Sequence, residues 1–495
     1  MIAEKFLYPD NLSILTMTSA TFYWHDYETF GTDPQRDRAC QFAGIRTDLD
    51  FNVVGEPLMV YCKTADDYLP NPEACIITGI TPQLATEKGV CEARFIKIIN
   101  DELSQANTCS LGYNSIRFDD EVTRNLLYRN FYDPYAREWQ NGNSRWDMID
   151  VARAAKALRP AGINWPVNDE GVASFRLEEL TNANDISHEA AHDALSDVYA
   201  TIAIARLIKQ HQPKLYNYLY SNRLKSAVLE LLQLGSFKPL VHVSGRFSAK
   251  NNCLAIIVPL YAHPKNANEV IVYDLSTDPS ELLALEASAI QQRLFVATTD
   301  LPMGVDRIPL KTIHINKSPV LAPLSVITAK DAERLELDLG KCETHLNLIQ
   351  SAAGPTLKEK LSAVFTREFS EPENDPDLMI YSGGFFSHKD KSTMQNIREL
   401  SPSQLSDVNV EFVDDRLHEM LFRYQARNYP ETLSPVAMQE WKAFCRNRLL
   451  GKQGGGNLAS FNENIAKLKN QFGEKNPLLK QLEEFAEKKK RFLTD

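Results

Sequence analysis

An apolar stretch that ends in two acidic residues constrains this chain more than any other feature. The run 21–24 (Thr-Phe-Tyr-Trp) is rich in aromatic residues, and Asp26 and Glu28 follow it. Side chains two positions apart in a β-strand point to the same face, so the two carboxylates would project together from the strand end. Oxygen ligands of this kind suit Mg²⁺ or Mn²⁺. The segment therefore predicts a strand that carries part of a divalent-metal site.

Two further acidic clusters follow in similar contexts. The first, Asn114–Asp119, comes directly after the apolar run 109–113, and this pattern predicts a strand, a turn and the start of a helix. The second, His192–Asp197, opens an amphipathic helix. Three acidic corners and one histidine are therefore available for a single site.

Spacing alone leaves two choices open within these clusters. Asp119 and Asp120 are adjacent at the start of the predicted helix, so either could face the site. Asp193 and Asp197 lie four residues apart, on the same face of a helix.

The three clusters, in this order, resemble the three exonuclease motifs of the DEDDh family, the ribonuclease-H-like 3′→5′ exonucleases. Longer phrases resemble bacterial exonuclease I, the single-strand-specific deoxyribonucleases. These phrases run from residue 24 to about residue 322 and include HDYETFGT, GYNSIRFDDEVTRN, RPAGINWP and HINKSPVLA, with weaker similarity near residue 421. The family pattern selects Asp119 through its Phe-Asp motif and Asp197 through its interval of five residues from His192.

The resemblance implies a catalytic set of four carboxylates and one base. Two Mg²⁺ ions about 4 Å apart, for which Mn²⁺ can substitute, would activate a water and stabilise the departing oxygen. Asp26 would anchor both ions, Glu28 and Asp197 would complete one site, and Asp119 would help hold the second ion through water. His192 would be the general base, because a neutral imidazole near pH 7 accepts a proton.

Arginine and aromatic residues interleave between residues 124 and 159, a pattern typical of a single-strand path. The net charge of −11 does not oppose this interpretation, since such a binder needs only a local basic path. Within the stretch, Tyr128, Phe131 and Trp146 suit a stacking platform and a core equally well. With the resemblance, contacts to the strand are predicted at Glu28, Arg176, Arg124, Tyr135, Trp139 and Arg153, and in the β part at Lys225, Asn268, Lys311, His314, Asn316 and Lys317.

The 495 residues are too many for one ordinary core. We predict an α/β chain with four parts: a disordered N-terminal extension (1–20), a ribonuclease-H-like nuclease domain with a central mixed sheet (21–212), an SH3-like β domain (213–364) and a C-terminal helical domain (365–495). The SH3-like description comes from the resemblance. The runs PLVHVSG, CLAIIVPLY, EVIVYDL and RLFVATT are predicted strands of the β domain, and the basic run 488–491 is predicted to be a solvated helix end.

Composition fits a soluble intracellular enzyme, and the resemblance implies the bacterial cytoplasm. The eight cysteines are irregularly spaced without a Cys-x-x-Cys pair, so neither a disulfide framework nor a zinc site is expected. The sequence predicts no signal peptide and no membrane span, and Met17 is an alternative start. A monomer is expected. The resemblance also implies that the acidic, apolar C-terminal tail of single-strand DNA-binding protein is a partner, bound by Arg159 and Lys238.

The predicted function is processive 3′→5′ hydrolysis of single-stranded DNA to 5′-mononucleotides in DNA repair and recombination. A DEDDh exonuclease that acts on RNA or in proofreading is the alternative within the enzyme class. A non-catalytic single-strand DNA-binding scaffold is the alternative outside it; such a scaffold would have lost one or more of the acids, and none is missing.

Overall fold

The computed structural model describes residues 19–188, 193–366, 373–451 and 456–494. Apart from Ser19 and Ala20, the predicted N-terminal extension lies outside the described residues. The predicted general base His192 also lies outside them.

A five-stranded mixed sheet forms the centre of the first part. Strand β1 (Thr21–Thr29) pairs antiparallel with β2 (Ala39–Thr47), which pairs antiparallel with β3 (Leu58–Tyr61). On its other side β1 pairs parallel with β4 (Thr108–Gly112), and β4 pairs parallel with β5 (Ser144–Asp147). The strand order is β3-β2-β1-β4-β5, so β1 occupies the middle of the sheet. The predicted mixed sheet is confirmed.

Helices cover both faces of this sheet. Phe22 and Trp24 pack on one face, in a cluster with residues of the helices Met148–Leu158 and Ala194–His211. Tyr23 and Tyr27 pack on the other face, against the helices Glu92–Leu103 and Asp119–Arg129. The helices of this part are α1 (Pro72–Thr78), α2 (Pro82–Lys88), α3 (Glu92–Leu103), α4 (Asp119–Arg129), α5 (Met148–Leu158), α6 (Leu177–Ala183), α7 (Ala194–His211) and α8 (Pro213–Ser221). Because side chains alternate along a strand, Asp26 continues the Phe22 and Trp24 face, toward α7.

The position of α8 bears on the predicted boundary after residue 212. Its residue Tyr216 is buried, and the ring lies 5.0 Å from that of Trp146 and 6.0 Å from that of Phe51. Helix α8 therefore packs into the core of the nuclease part. The domain division itself stays a prediction.

The second part is built on a five-stranded antiparallel sheet of order β10-β6-β7-β8-β9. Its strands are β6 (Leu240–Val243), β7 (Leu254–Ala262), β8 (Glu269–Asp274), β9 (Leu310–His314) and β10 (Val320–Pro323). Its helices are α9 (Lys225–Leu232), α10 (Ser280–Ala284), α11 (Ala287–Leu294), α12 (Ala329–Arg334), α13 (Leu339–Ala352) and α14 (Pro355–Val364).

One strand prediction in this part is wrong. The run RLFVATT, residues 293–299, does not extend the sheet: its first two residues end helix α11. Packing explains the difference, because Ile290 of α11 is fully buried and Gln291 donates a hydrogen bond to the Ala363 carbonyl of α14 (3.0 Å). These tertiary contacts outweigh the β preference of the aromatic and β-branched residues.

The third part is helical and shares its core with the nuclease part. Trp441 and Phe461 lie in one apolar cluster with Phe30 and Tyr68 of the nuclease part. The helices are α15 (His388–Glu399), α16 (Pro402–Leu405), α17 (Arg416–Asn428), α18 (Pro435–Leu450), α19 (Leu458–Phe472) and α20 (Pro477–Thr494). The basic run 488–491 is not entirely solvated, because Lys489 is buried and its ammonium lies 2.8 Å from an Asp66 carboxylate oxygen.

A buried network of charges crosses between the nuclease part and the helical part. Arg427 of α17 contacts Asp67 of the nuclease part (2.8 Å) and Asp377 (2.5 Å), and all three side chains are almost inaccessible. Asp377 also pairs with Arg423 at 3.0 Å. Burial alone would raise the pKa of Asp67, but Arg427 and neighbouring arginines hold it far below its ordinary value. Breaking such a buried pair by removing one partner costs about 3–5 kcal/mol, so the network fixes the helices against the nuclease part.

The eight cysteines are all free. Among the described helices, none combines the length and apolar character needed to cross a membrane.

Candidate active site

Three carboxylates converge at the end of β1. Single carboxylate oxygens of Asp26, Glu28 and Asp197 all lie within 4.8 Å of one another. Asp26 and Glu28 come from β1, and Asp197 comes from the first turn of α7, which packs on that strand. Strand alternation places Asp26 and Glu28 on one face, and the packing of α7 on β1 brings Asp197 to them.

Asp119 reaches the same corner from α4. One of its carboxylate oxygens accepts a hydrogen bond from the backbone N–H of Tyr27, at 3.1 Å. Tyr27 stands between Asp26 and Glu28 in β1, so this bond ties Asp119 to the part of the strand that carries both acids. The turn before α4 is held by Asp147, whose carboxylate accepts hydrogen bonds from the backbone N–H groups of Asn114 (2.8 Å) and Ile116 (3.2 Å). Asp147 thus positions Asp119, a role that the sequence analysis missed.

The two competing acids have other partners. Asp120 is buried between Arg137 (2.6 Å) and Arg145 (2.8 Å), and these arginines hold its pKa below the ordinary value although burial alone would raise it. Asp193 is the N-cap of α7, accepting from the Ser196 backbone N–H at 3.4 Å. Both arrangements support the choice of Asp119 and Asp197.

The electrostatics of the cluster favour a cation. Burial and the neighbouring carboxylates, Asp119 first among them, raise the pKa of Asp26 well above its usual range. Burial, with Asp197 and Asp119, raises the pKa of Glu28 to about 8. Several carboxylates held together in a low dielectric repel one another when ionised, and a divalent cation relieves this repulsion. The residues present therefore fit a divalent metal.

A large cleft of about 1400 Å³ is lined by all three parts of the chain. Its lining includes residues 33–35, which follow β1 in the sequence, and Glu121, two positions after Asp119. Eight of the predicted strand contacts line it: Arg124, Tyr135, Trp139, Lys225, Asn268, His314, Asn316 and Lys317. The structure thus brings together, in one cleft, residues that lie almost 200 positions apart in the sequence.

The cleft offers both exposed rings and paired charges. Trp139 is 66% exposed, as expected of a surface on which a base could stack. Arg124, by contrast, is nearly buried: it binds Glu138 through two hydrogen bonds (2.7 and 2.8 Å) and lies 5.3 Å from the centre of the Tyr135 ring. In this arrangement the Arg124 guanidinium packs against the Tyr135 ring and is paired with the Glu138 carboxylate.

The helical part supplies cleft residues that the sequence analysis missed. Tyr381, Phe385 and Lys391 line the cleft, and Phe385 is 87% exposed with its ring 6.4 Å from that of Tyr135. No local signal marks these residues, because only the packing of the C-terminal helices brings them to the nuclease part.

Three family models match consecutive parts of the chain. Residues 23–205 match the family described as Exonuclease, residues 223–367 match the Exonuclease I SH3-like domain, and residues 374–489 match the Exonuclease I C-terminal domain. The Exodeoxyribonuclease I of Escherichia coli K12 is 50% identical over 423 residues, which cover 85% of this chain and 88% of that protein. The chain belongs to the exonuclease I family.

Solved structures agree with this assignment. The chain matches a crystal structure of E. coli Exonuclease I in complex with a dA16 oligonucleotide with a TM-score of 0.91 at 46% identity, covering 95% of this chain and 100% of that one. It matches a structure described as an ExoI/SSB-Ct complex with a TM-score of 0.88 at 46% identity, covering 95% of this chain and 99% of that one. The predicted family and fold class, with its SH3-like part, are confirmed.

The remaining predicted contacts of this exonuclease I family member lie outside the cleft. Arg153 binds Asp150 (2.7 Å) and lies over the Phe175 ring, and Lys311 donates to the Arg246 carbonyl (2.8 Å). A side chain at Gly245 would come within 2.8 Å of the Arg153 guanidinium and 3.1 Å of that of Arg117. Arg117 and Arg246 thus extend this basic region. No local pattern in the sequence marks these two arginines, since each lies far from Lys311 in the chain.

The predicted nucleotide contact and the predicted partner site are exposed. Arg176 has a side chain that is 76% exposed, with Glu179 at 3.8 Å. Arg159 donates to the Val326 carbonyl at 3.3 Å, and Lys238 donates to the Gln233 side chain at 2.9 Å. The assignment of these three residues stays a prediction.

Part of the arginine-rich stretch between residues 124 and 159 is buried and paired with carboxylates, although Arg145 still lines the cleft. Arg129 pairs with Glu92, and Arg137 and Arg145 pair with Asp120, all with arginine side chains 5% exposed or less. The three aromatic residues that suited a stacking platform and a core equally well lie in the core: Tyr128, Phe131 and Trp146 are each at most 3% exposed. Interleaved rings and guanidinium groups therefore serve packing and charge pairing as much as a surface path.

We expect the metal-free protein to become less stable as the pH rises from about 5 to about 8. The pKa of Glu28 is 4.5 ordinarily and about 8 in the fold, so over this interval the folded state keeps a proton that the unfolded state has lost. Rising pH then favours unfolding. Melting temperatures in EDTA should fall over this interval, and Glu28→Gln should flatten the fall. The stabilisation by added Mg²⁺ should grow with pH, because the cation binds the ionised carboxylates. An unchanged pH profile in Glu28→Gln would contradict this account.

Proposed function

We propose that this chain is a processive 3′→5′ exodeoxyribonuclease that hydrolyses single-stranded DNA to 5′-mononucleotides, in DNA repair and recombination in the bacterial cytoplasm. The observation that carries the proposal is the cluster of Asp26, Glu28 and Asp197 in a chain whose three parts together line one large cleft. The names of the relatives support it, since they are exodeoxyribonucleases and one was solved with a dA16 oligonucleotide.

The acidic residues and His192 have different roles in the proposed hydrolysis of the phosphodiester. Asp26, Glu28 and Asp197 would hold divalent cations, with Asp119 contributing through water, and we propose two Mg²⁺ ions. When bound, such ions lower the pKa of a coordinated water and stabilise the charge on the departing 3′ oxygen. His192 would take the proton of the attacking water. The turn held by Asp147 keeps Asp119 in place while the strand advances.

One side-by-side experiment tests the activity. End-labelled single-stranded DNA, duplex DNA and RNA of one sequence are incubated with the full chain in Mg²⁺, in Mn²⁺ and in EDTA. We expect loss of mononucleotides from the 3′ end of the single-stranded DNA only, and only with a divalent ion. Equal hydrolysis of RNA would favour the RNA-directed alternative, and binding without hydrolysis would favour the scaffold.

The cleft should hold the strand between successive cleavages. Lys225 and Lys317 line it, and Lys317 belongs to a loop of the SH3-like part that reaches Glu121 of the nuclease part (3.4 Å). The double variant Lys225→Ala/Lys317→Ala should release the strand after fewer cleavages. Its salt slope for single strands should fall by about 1.4, or about 0.7 for each phosphate that a lysine no longer neutralises. Long substrates challenged with excess unlabelled trap would measure this.

The control removes two lysines that do not line the cleft. Lys467 and Lys490 are exposed on α19 and α20, so Lys467→Ala/Lys490→Ala should keep wild-type processivity. The substitutions are made in the full chain, because cutting after residue 212 would remove Tyr216 from the nuclease core. Full-length degradation in one encounter by the cleft variant would contradict the holding role.

We also propose that the C-terminal tail of single-strand DNA-binding protein is a partner and that the enzyme works as a monomer. One related structure is an ExoI/SSB-Ct complex, which supports the partner. Arg159 and Lys238 are exposed cations suited to an acidic peptide. Arg159→Ala/Lys238→Ala should weaken binding of a fluorescent tail peptide at least severalfold without lowering activity on naked DNA. Unchanged peptide affinity in anisotropy titrations would remove this assignment.

A further inference from the structure

A second histidine of the exonuclease motif region contacts a member of the carboxylate cluster. His188 lies between α6 and α7, and its Nε2 atom is 2.5 Å from Oδ1 of Asp197. Its Nδ1 atom is 3.3 Å from the hydroxyl of Thr181 on α6. The ring is only 5% exposed, so it is held between the two helices and is not a mobile surface group.

The chemistry of the contact assigns the hydrogen. In the ionised form that would bind a cation, the Asp197 carboxylate only accepts hydrogen bonds, so in that form Nε2 carries the hydrogen that lies between the ring and Asp197. A neutral ring then accepts at Nδ1, where the Thr181 hydroxyl can donate. The chain Thr181–His188–Asp197 therefore satisfies both ring nitrogens and occupies one oxygen of Asp197.

This contact restrains the carboxylate that the proposed metal site needs. Asp197 stands on the first turn of α7, and without a partner its side chain could rotate about two bonds. With Oδ1 held by His188, the Asp197 carboxylate keeps a defined orientation toward Asp26 and Glu28. Groups that hydrogen-bond to metal ligands in this way typically change metal affinity or activity 10–100-fold when removed.

We propose that His188 is a positioning residue that orients Asp197 for divalent-cation binding, with Thr181 fixing the ring. The proposal rests on the proposed function, in which Asp197 is a metal ligand. The proposal assigns different roles to two histidines four residues apart: His188 orients the Asp197 carboxylate, and His192 accepts the proton of the attacking water.

Direct Mn²⁺ binding to the full chain, without DNA, tests the proposal. Free Mn²⁺ is measured by electron paramagnetic resonance for wild type, His188→Gln and His188→Leu; glutamine keeps an N–H donor, whereas leucine is of similar size and has none. We expect His188→Leu to weaken Mn²⁺ affinity about 10-fold or more and His188→Gln to stay within about threefold of wild type. The Mg²⁺ concentration for half-maximal hydrolysis should rise by the same factor, with turnover at saturating Mg²⁺ nearly kept.

Two further variants serve as a graded test and as a control. Thr181→Val leaves His188 in place and removes its second contact, so a smaller loss of Mn²⁺ affinity is expected. His388→Ala, an exposed histidine at the start of α15, should bind Mn²⁺ as wild type does. Single-strand affinity in EDTA should be unchanged in every variant.

Three results would overturn the proposal: Mn²⁺ affinity of His188→Leu within twofold of wild type, an equal loss in His188→Gln and His188→Leu, or a loss of turnover at saturating Mg²⁺ with Mn²⁺ affinity intact. Failure of the wild-type chain to bind Mn²⁺ at all would instead count against the proposed function, so the two failures are distinguishable.

Discussion

Asp26→Ala and Asp197→Ala should each abolish hydrolysis of single-stranded DNA while leaving its binding largely intact. Both carboxylates belong to the three-membered cluster, and neither lines the cleft that offers rings and donors to the strand. Loss of one ligand removes the cation that activates water, whereas strand affinity depends on backbone and stacking contacts elsewhere. Hydrolysis of an end-labelled oligonucleotide in Mg²⁺ and anisotropy with the same oligonucleotide in EDTA measure the two effects separately.

Asp193→Ser is the matched control for these substitutions. Asp193 lies one turn from Asp197 and caps α7, and serine can also cap a helix. Activity should therefore stay within a few-fold of wild type. Substantial hydrolysis by Asp197→Ala, or complete loss in Asp193→Ser, would mean that the metal ligand on α7 has been assigned to the wrong residue.

His192→Ala should lower turnover on the order of 10²- to 10⁴-fold, the usual contribution of a general base. Single-turnover hydrolysis at saturating Mg²⁺ is the measurement, because it excludes strand release. The dependence of the rate on pH should also lose the limb that reports deprotonation of the base. Mn²⁺ affinity should be unchanged, in contrast to His188→Leu. A loss below about threefold would reduce His192 to a structural role.

The acidic residues of the site could be predicted from the sequence because each follows a local pattern, a strand end or the first turn of a helix. The alternation of β1 and the first turns of α4 and α7 fix where Asp26, Asp119 and Asp197 point, and the family pattern chose between neighbouring acids. The reason for that choice was not visible in the sequence. It lies in Arg137 and Arg145, which neutralise Asp120 from remote positions.

The strand-binding surface was predicted less well because exposure is not encoded locally. Trp139 and Trp146 lie seven residues apart in the same arginine-rich stretch, yet one is exposed and the other is core. Trp146 lies in β5 and is covered by Tyr216 and Tyr220 of α8, whereas Trp139 has no such ring contact among the described residues. In the same way, Phe385 enters the cleft only through the packing of the helical part.

The charges buried between the nuclease and helical parts bear on how such a chain can change over evolutionary time. Asp67 belongs to the nuclease part and is neutralised mainly by Arg427, more than 300 residues later. A gene that exchanged its C-terminal segment for one without this arginine would encode a nuclease whose interior Asp67 keeps only the longer contact with Arg38, at 3.9 Å. An error of that kind costs about as much as a third of the stability of an ordinary domain. Exchange of the C-terminal segment should therefore destabilise the protein unless the new segment also supplies an arginine to Asp67.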